Sequence, residues 1–364
     1  MKRWISLLII PFIFALLAAC SSDGNSESSD SETSESAEGG DQELSDQLYI
    51  FNWSEYLPQE ILDNFEEEFG VEIIYDTYNS NQEMLAKLSS GTVSYDLVVP
   101  SDFYARLLLE EGLIQEINYD NIPNYENIDD VWKNMPFDPE NKYTVPYAFG
   151  YDGIAYNKEV IPNPPTSWED LWNPEYEGKV IVMEEPKEVF NMLNQTLGFD
   201  PNDPTEEELE QAGEKLKELV PNLLACDSTP EAQLVSGEAW IAYAYSGASA
   251  VAYQENEHVD FVLPEEGGIV WMDVMVIPAN AQNKYTAEVF IDYMLRPEVS
   301  KLLTEDYPYG NPNTKAVELL DEDLKNSPGL NLPEEDIEKA VWTEPLDEKR
   351  TEIMNRLFQE AKME

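Results

Sequence analysis

Gly267–Pro278 reads Gly-Gly-Ile-Val-Trp-Met-Asp-Val-Met-Val-Ile-Pro, a near-continuous apolar run broken by one carboxylate, Asp273. Such a run is a strand, and side chains along a strand alternate faces, so Trp271 and Asp273 point the same way. An acid beside an indole on an otherwise buried strand needs a partner, because an unpaired buried charge is costly. Two partners are open. One is an internal arginine or lysine, which leaves Trp271 as ordinary core. The other is a cationic ligand.

Strands and helices alternate around this run. Leu48–Trp53 is a strand by its β-branched and aromatic content, and a helix follows from about Pro58 to Phe69, stopped by Gly70. Val71–Tyr75 and Tyr95–Pro100 are further strands, separated by a helix near Gln82–Leu88, and Asp102 is placed to cap a helix running to Glu111. This spacing predicts an α/β layer with a mainly parallel sheet. In such sheets ligands sit beyond the carboxyl ends of strands. Two of those ends carry Trp53-Ser54-Glu55-Tyr56 and Ser101-Asp102-Phe103-Tyr104, loops that combine an acid, a hydroxyl and aromatics.

Residues 119–142 are polar and loop-like, and Tyr143–Tyr151 and Ile154–Asn157 are extended chain entering a second lobe. Ser167-Trp-Glu-Asp170 and Thr205-Glu-Glu-Glu208 have the pattern of helix-capping boxes. Strand Lys179–Met183 leads into a helix whose first turn holds Pro186, and Glu185 and Glu188 then share a face. Acids at a helix N-terminus are favoured by its dipole without any ligand, which suffices for Glu184. Trp240–Tyr245 is a strand, and helices are expected at Lys284–Leu295, Pro297–Leu303 and about Asp347–Lys362.

The chain has 364 residues, enough for two lobes around sizeable cores. It opens with Met1-Lys2-Arg3, an apolar stretch from Trp4 to Ala19, and Cys20. A basic start, a short apolar stretch and small residues before the cysteine describe a secretory signal over residues 1–19, not a membrane span. The Leu-Ala-Ala-Cys ending resembles a bacterial lipobox, which implies cleavage before Cys20, a lipid on its sulfur and an extracytoplasmic protein anchored to the membrane. Residues 20–47 are then the lipidated cysteine and a disordered acidic tether. Only Cys226 and His258 remain as soft ligands, so a Cys- or His-rich zinc site is excluded and no metal or cofactor is expected. With 74 acids against 21 bases the net charge is −53, which argues against nucleic acid as a partner.

Six segments occur in one order along the mature chain: Asn52-Trp-Ser-Glu-Tyr56, Tyr95–Ser101, Ser167–Trp172, Glu188-Val-Phe190, Gly267–Asp273 and Ile277-Pro-Ala-Asn280. Together they resemble the spermidine/putrescine-binding proteins of bacterial polyamine ABC importers. The resemblance implies a bilobal type II periplasmic-binding-protein-like fold with a hinge and a ligand between two α/β lobes, here 48–149 plus 274–318 and 150–273 plus 319–364. It implies aromatic walls from Trp53, Tyr56, Trp271 and Tyr309, with Tyr245 where relatives often carry Trp. Asp273 is expected to hold one terminal amine and Glu185 and Glu188 the other end, with Glu55, Ser54 and Ser101 as polar contacts. Phe103 stands where relatives tend to have Tyr, Glu185 where Asp is more usual, and Thr343 where Gln is common. An ABC permease is the implied partner, and a monomer the implied state.

The chemistry suits those residue types. Ammonium groups only donate hydrogen bonds, so carboxylates are their strongest partners. Aromatic faces accept both the cation and its methylenes, each cation–π contact contributing roughly 0.5–2 kcal/mol. Other readings stay open: a receptor of the same fold for another small cation, including ferric iron through Tyr243 or Tyr245, and a secreted glycoside hydrolase using Glu185 and Glu188 as acid and base.

Overall fold

In the computed structural model, which describes residues 43–54, 56–330 and 332–363, strand β1 (Gln47–Trp53) is the centre of the first sheet. The expected signal segment, Cys20, most of the tether and Glu55 lie outside the described residues. Residues 45–47, expected in the tether, are engaged with the folded chain. Ser45 already donates its backbone N–H to Thr286 Oγ1 at 2.9 Å, and β1 starts at Gln47.

Helix α1 (Gln59–Phe69) buries the stripe Ile61, Leu62 and Phe65 and stops at Gly70, whose φ of 69° is a left-handed cap. Strand β2 (Glu72–Tyr78) runs parallel to β1. Helix α2 (Asn81–Ser90) is capped by the Ser80 hydroxyl and leads to β3 (Leu97–Val98), parallel to β1 on its other side. Helix α3 (Asp102–Glu110) follows, and here the expectation fails in detail. Ser101 is the cap residue, while Asp102 is the first helical residue, buried, with its carboxylate accepting from the Phe103 N–H at 2.8 Å.

Strand β4 (Val145–Asn157) spans 13 residues and belongs to two cores. Val145, Tyr147 and Ala148 pack with Leu48, Ile50 and Phe290, whereas Ile154 and Tyr156 pack with Trp168, Phe190 and Phe358. Then come β5 (Val180–Val182), α4 (Pro186–Leu197), α5 (Glu206–Leu219), β6 (Leu223–Cys226), α6 (Glu231–Ser236), β7 (Ile241–Tyr245), α7 (Ser246–Glu255), β8 (Val259–Val262) and β9 (Ile269–Met275). Strand β9 pairs antiparallel with β4, and beyond its end Val276 bridges Val98 of the first sheet. The chain through β9 therefore passes from the second sheet to the first, while β4 joins the two cores by its packing. Helices α8 (Lys284–Met294) and α9 (Pro297–Asp306) return to the first core, and β10 (Val341–Trp342) closes the edge of the second sheet.

The second sheet has the order β10-β9-β4-β7-β5-β6, with β8 also on β4. It is mixed, not mainly parallel, because β4 runs antiparallel to β7, β8 and β9. The first sheet is parallel throughout, and the fold class is α/β with two sheets and two principal lobes. Local signals operate as read: Ser167 and Thr205 each make a full capping box, and Pro186 occupies the first turn of α4. Residues 119–142, expected as loop, include three short 3-10 turns. Among the described residues no helix is long and apolar enough to cross a membrane.

Candidate functional site

Asp273 lies where β9 leaves the second sheet, bridged to Ser101 at the start of α3. The Ser101 hydroxyl donates to Asp273 Oδ1 at 2.8 Å, and is itself held by the Asn81 amide at 3.0 Å. The carboxylate is only 5% exposed, and among the described residues no lysine, arginine or histidine pairs with it. Burial pushes its pKa up to about 6, an effect opposed by the hydroxyls of Ser101 and Tyr56. The Tyr56 hydroxyl faces this carboxylate but, although buried, meets no acceptor at full hydrogen-bond geometry. A buried acid and a buried hydroxyl, both under-partnered, make a receptacle for a donor.

From Tyr56 a run of rings leads away. Tyr56 meets Tyr309 at 5.9 Å between centroids, Tyr309 meets Trp271 at 5.2 Å, and Trp271 meets Tyr245 at 6.0 Å, all edge-to-face. This edge-to-face geometry suits the ring quadrupoles, and aromatic faces of this kind attract cations. Two glycines make room for the rings. A Cβ on Gly150 would stand 2.4 Å from the Trp271 ring, and one on Gly247 would stand 2.3 Å from the Tyr309 ring.

The far end of the run is acidic. Burial and then the charges of Asp152, Glu188 and Glu185 hold the Tyr245 phenol well above its ordinary pKa. Glu185 stands at the N-cap position of α4 without a side-chain capping bond, and Glu188 sits in its first turn, where Asn191 donates to it at 2.9 Å. Glu185 is exposed to solvent, yet desolvation by the protein around it and the charge of Glu188 raise its pKa. Neither is ion-paired among the described residues, whereas neighbouring Glu184 is bound by Lys362 at 2.5 Å, a surface contact that accounts for it.

Two residues here were not singled out from the sequence. Asp152 on β4 is fully buried and accepts from Trp271 Nε1 at 2.9 Å and from the Tyr243 hydroxyl at 3.3 Å. Burial and then Glu188 push its pKa strongly up. It was findable, because it is the only charged residue in β4, as Asp273 is in β9. The other is Lys187, whose ammonium lies 3.8 Å from the centre of the Phe103 ring and donates to Thr343 Oγ1 at 3.1 Å. Asp102, raised to about 8 by burial, feels the same lysine.

The remaining expected residues fall nearby or elsewhere. Trp53 packs on Tyr78 at 4.8 Å, with its buried indole N–H unpartnered. The Ser54 hydroxyl turns to the Tyr78 carbonyl at 3.4 Å, so it is engaged in the backbone. The Tyr243 hydroxyl is committed to Asp152 and to the Glu188 carbonyl. Among the described residues no group of three or more His, Cys, Asp or Glu is placed to hold a metal ion.

Comparison with known proteins gives the family. Residues 92–339 match the family of bacterial extracellular solute-binding proteins. A spermidine/putrescine-binding periplasmic protein of Salmonella typhimurium is 41% identical over 300 residues, covering 82% of this chain and 86% of that protein. A solved ABC-transporter structure from Listeria monocytogenes superposes with a TM-score of 0.81 at 32% identity, over 88% of this chain and 99% of that one. The spermidine/putrescine ABC transporter substrate-binding protein PotD of Streptococcus pneumoniae gives 0.77 at 32% identity, over 88% and 99%. With a family match over most of its length and relatives this similar, the chain belongs to the bacterial extracellular solute-binding proteins.

Proposed function

We propose that this protein captures a polyamine between its two lobes and delivers it to an ABC-type permease. One observation carries the reading: under-partnered carboxylates, Asp273 at one end and Glu185 and Glu188 at the other, are joined by a continuous run of aromatic rings. Acids at the ends and rings between match a string of ammonium groups separated by methylenes. The names of the Salmonella and pneumococcal relatives support the same class of ligand and transporter. In this reading the lobes are 48–149 plus 274–318 and 150–273 plus 319–364, and β4 and β9 are the hinge strands between them. Glu55 adds a polar contact.

Hydrolysis is disfavoured by position. Glu185 and Glu188 lie on one face of one helical turn, whereas a glycosidase sets its two carboxyls on either side of the scissile bond. Titration calorimetry of the full chain with putrescine, cadaverine, spermidine and spermine tests the assignment. Micromolar or tighter binding of a diamine or triamine is expected, and no heat with any of the four would end it.

The lipobox supports an anchor on Cys20 that holds a monomeric receptor at the outer face of the membrane. Cys20→Ser should then release the protein from the membrane fraction into the medium. Unchanged membrane association would refute the anchor.

A further inference from the structure

Lys187 stands between Glu185 and Glu188 in sequence, in the first turn of α4, yet its ammonium pairs with neither. It rests instead on the Phe103 ring at 3.8 Å and on the Thr343 hydroxyl at 3.1 Å. Phe103 belongs to α3, beside the first sheet, and Thr343 follows β10 of the second. The charge of Lys187 is felt at two buried acids, Asp102 at the start of α3 and Asp152 on the Trp271 indole.

The chemistry of this side chain is that of the proposed ligand. A lysine side chain is a primary ammonium on four methylenes, and here it takes an aromatic face and a hydroxyl acceptor, as a bound amine would. The acidic end of the site therefore already holds a tethered amine. A ligand with two charges can answer Asp273 at one end and the glutamates at the other. A further ammonium arriving at this end meets a like charge, or displaces it from its ring and its hydroxyl.

Resting on the polyamine reading above, we propose that Lys187 is a specificity-determining residue: its ammonium occupies the place of an additional ligand amine, so that the site takes diamines in preference to longer triamines and tetramines. The position of its Nζ over Phe103 and against Thr343 carries the assignment.

Calorimetry on the full chain and on Lys187→Met and Lys187→Arg, each with putrescine, spermidine and spermine, tests it. The unaltered protein is expected to bind putrescine more tightly than spermidine. Lys187→Met should shift the spermidine-to-putrescine affinity ratio toward spermidine by roughly tenfold or more, the scale of a removed like-charge contact. Lys187→Arg, which keeps the charge, should retain the original preference. A merely structural lysine would change both affinities together and leave the ratio alone. An unchanged ratio in Lys187→Met, or a preference for spermidine in the unaltered protein, would overturn the inference while leaving polyamine binding intact. Binding of none of these amines by the unaltered protein would overturn the polyamine reading and this inference with it.

Discussion

Burial lifts the Asp273 carboxyl to about 6, whereas an unfolded aspartate titrates near ~3.9. Between those values the folded protein holds more protons than the unfolded chain, so stability falls as pH rises through this window, by roughly 3 kcal/mol for this one group. Asp102, raised to about 8, extends the same trend to higher pH. Thermal melts of the empty protein should therefore show a falling Tm from about pH 4 to pH 8, from these two groups. Asp273→Asn should flatten the lower part of that fall and so raise the Tm near neutrality. The same variant should weaken diamine binding by at least about 2 kcal/mol, because an amine loses its charged acceptor. A variant that kept full affinity in calorimetry would remove Asp273 from the site. A ligand cation reverses the penalty that the empty site carries, so affinity is expected to rise with pH as Asp273 ionises.

Strands β4 and β9 position Trp271 and Asp273 of the proposed site through their pairing, Gly150 opposite Trp271 and Ala148 opposite Asp273. The indole is fixed from two sides, by the lack of a side chain at Gly150 and by the Asp152 carboxylate on its N–H. Gly150→Ala should force the ring aside, destabilising the fold by about 1–3 kcal/mol and weakening polyamine binding, with a change in tryptophan emission. Asp152→Ala should leave the indole N–H without its acceptor, the Tyr243 hydroxyl keeping the Glu188 carbonyl, and lower affinity by on the order of tenfold. Asp152→Asn, which keeps an acceptor oxygen, should restore most of it. Equal losses in both Asp152 variants would show that charge, not orientation of Trp271, is what Asp152 supplies.

The whole molecule carries a formal charge of −53, which draws small cations toward it from a distance. Such steering acts on encounter and is screened by salt. Stopped-flow measurements should show the association rate for a diamine falling by on the order of tenfold between low and high salt, with a much smaller change in dissociation. Equal effects on both rates would place the salt dependence in the bound contacts. The pairs that cover the surface, such as Arg106 with Glu344 at 3.2 Å and Arg296 with Glu68 at 2.8 Å, engage only a small part of the acidic excess.

The sequence alone determined the elements whose causes are local. Gly70 stopping α1, the capping boxes at Ser167 and Thr205, and Pro186 in the first turn of α4 are set by residues a few positions apart. It also singled out Asp273, because a lone acid in an apolar run is visible without any fold. Only the tertiary structure decided what each acid meets. Ser101 reaches Asp273 across 172 residues and Asp152 reaches Trp271 across 119, and no short-range pattern records such a meeting. The same holds for the second sheet, whose mixed order depends on β4 arriving from the first core and on β9 leaving toward the first sheet. Nothing local marks Lys187, and only long-range packing puts its ammonium against Phe103 and Thr343. Side-chain periodicity is encoded between neighbours, but electrostatic partnership depends on distance in space, which folding alone supplies.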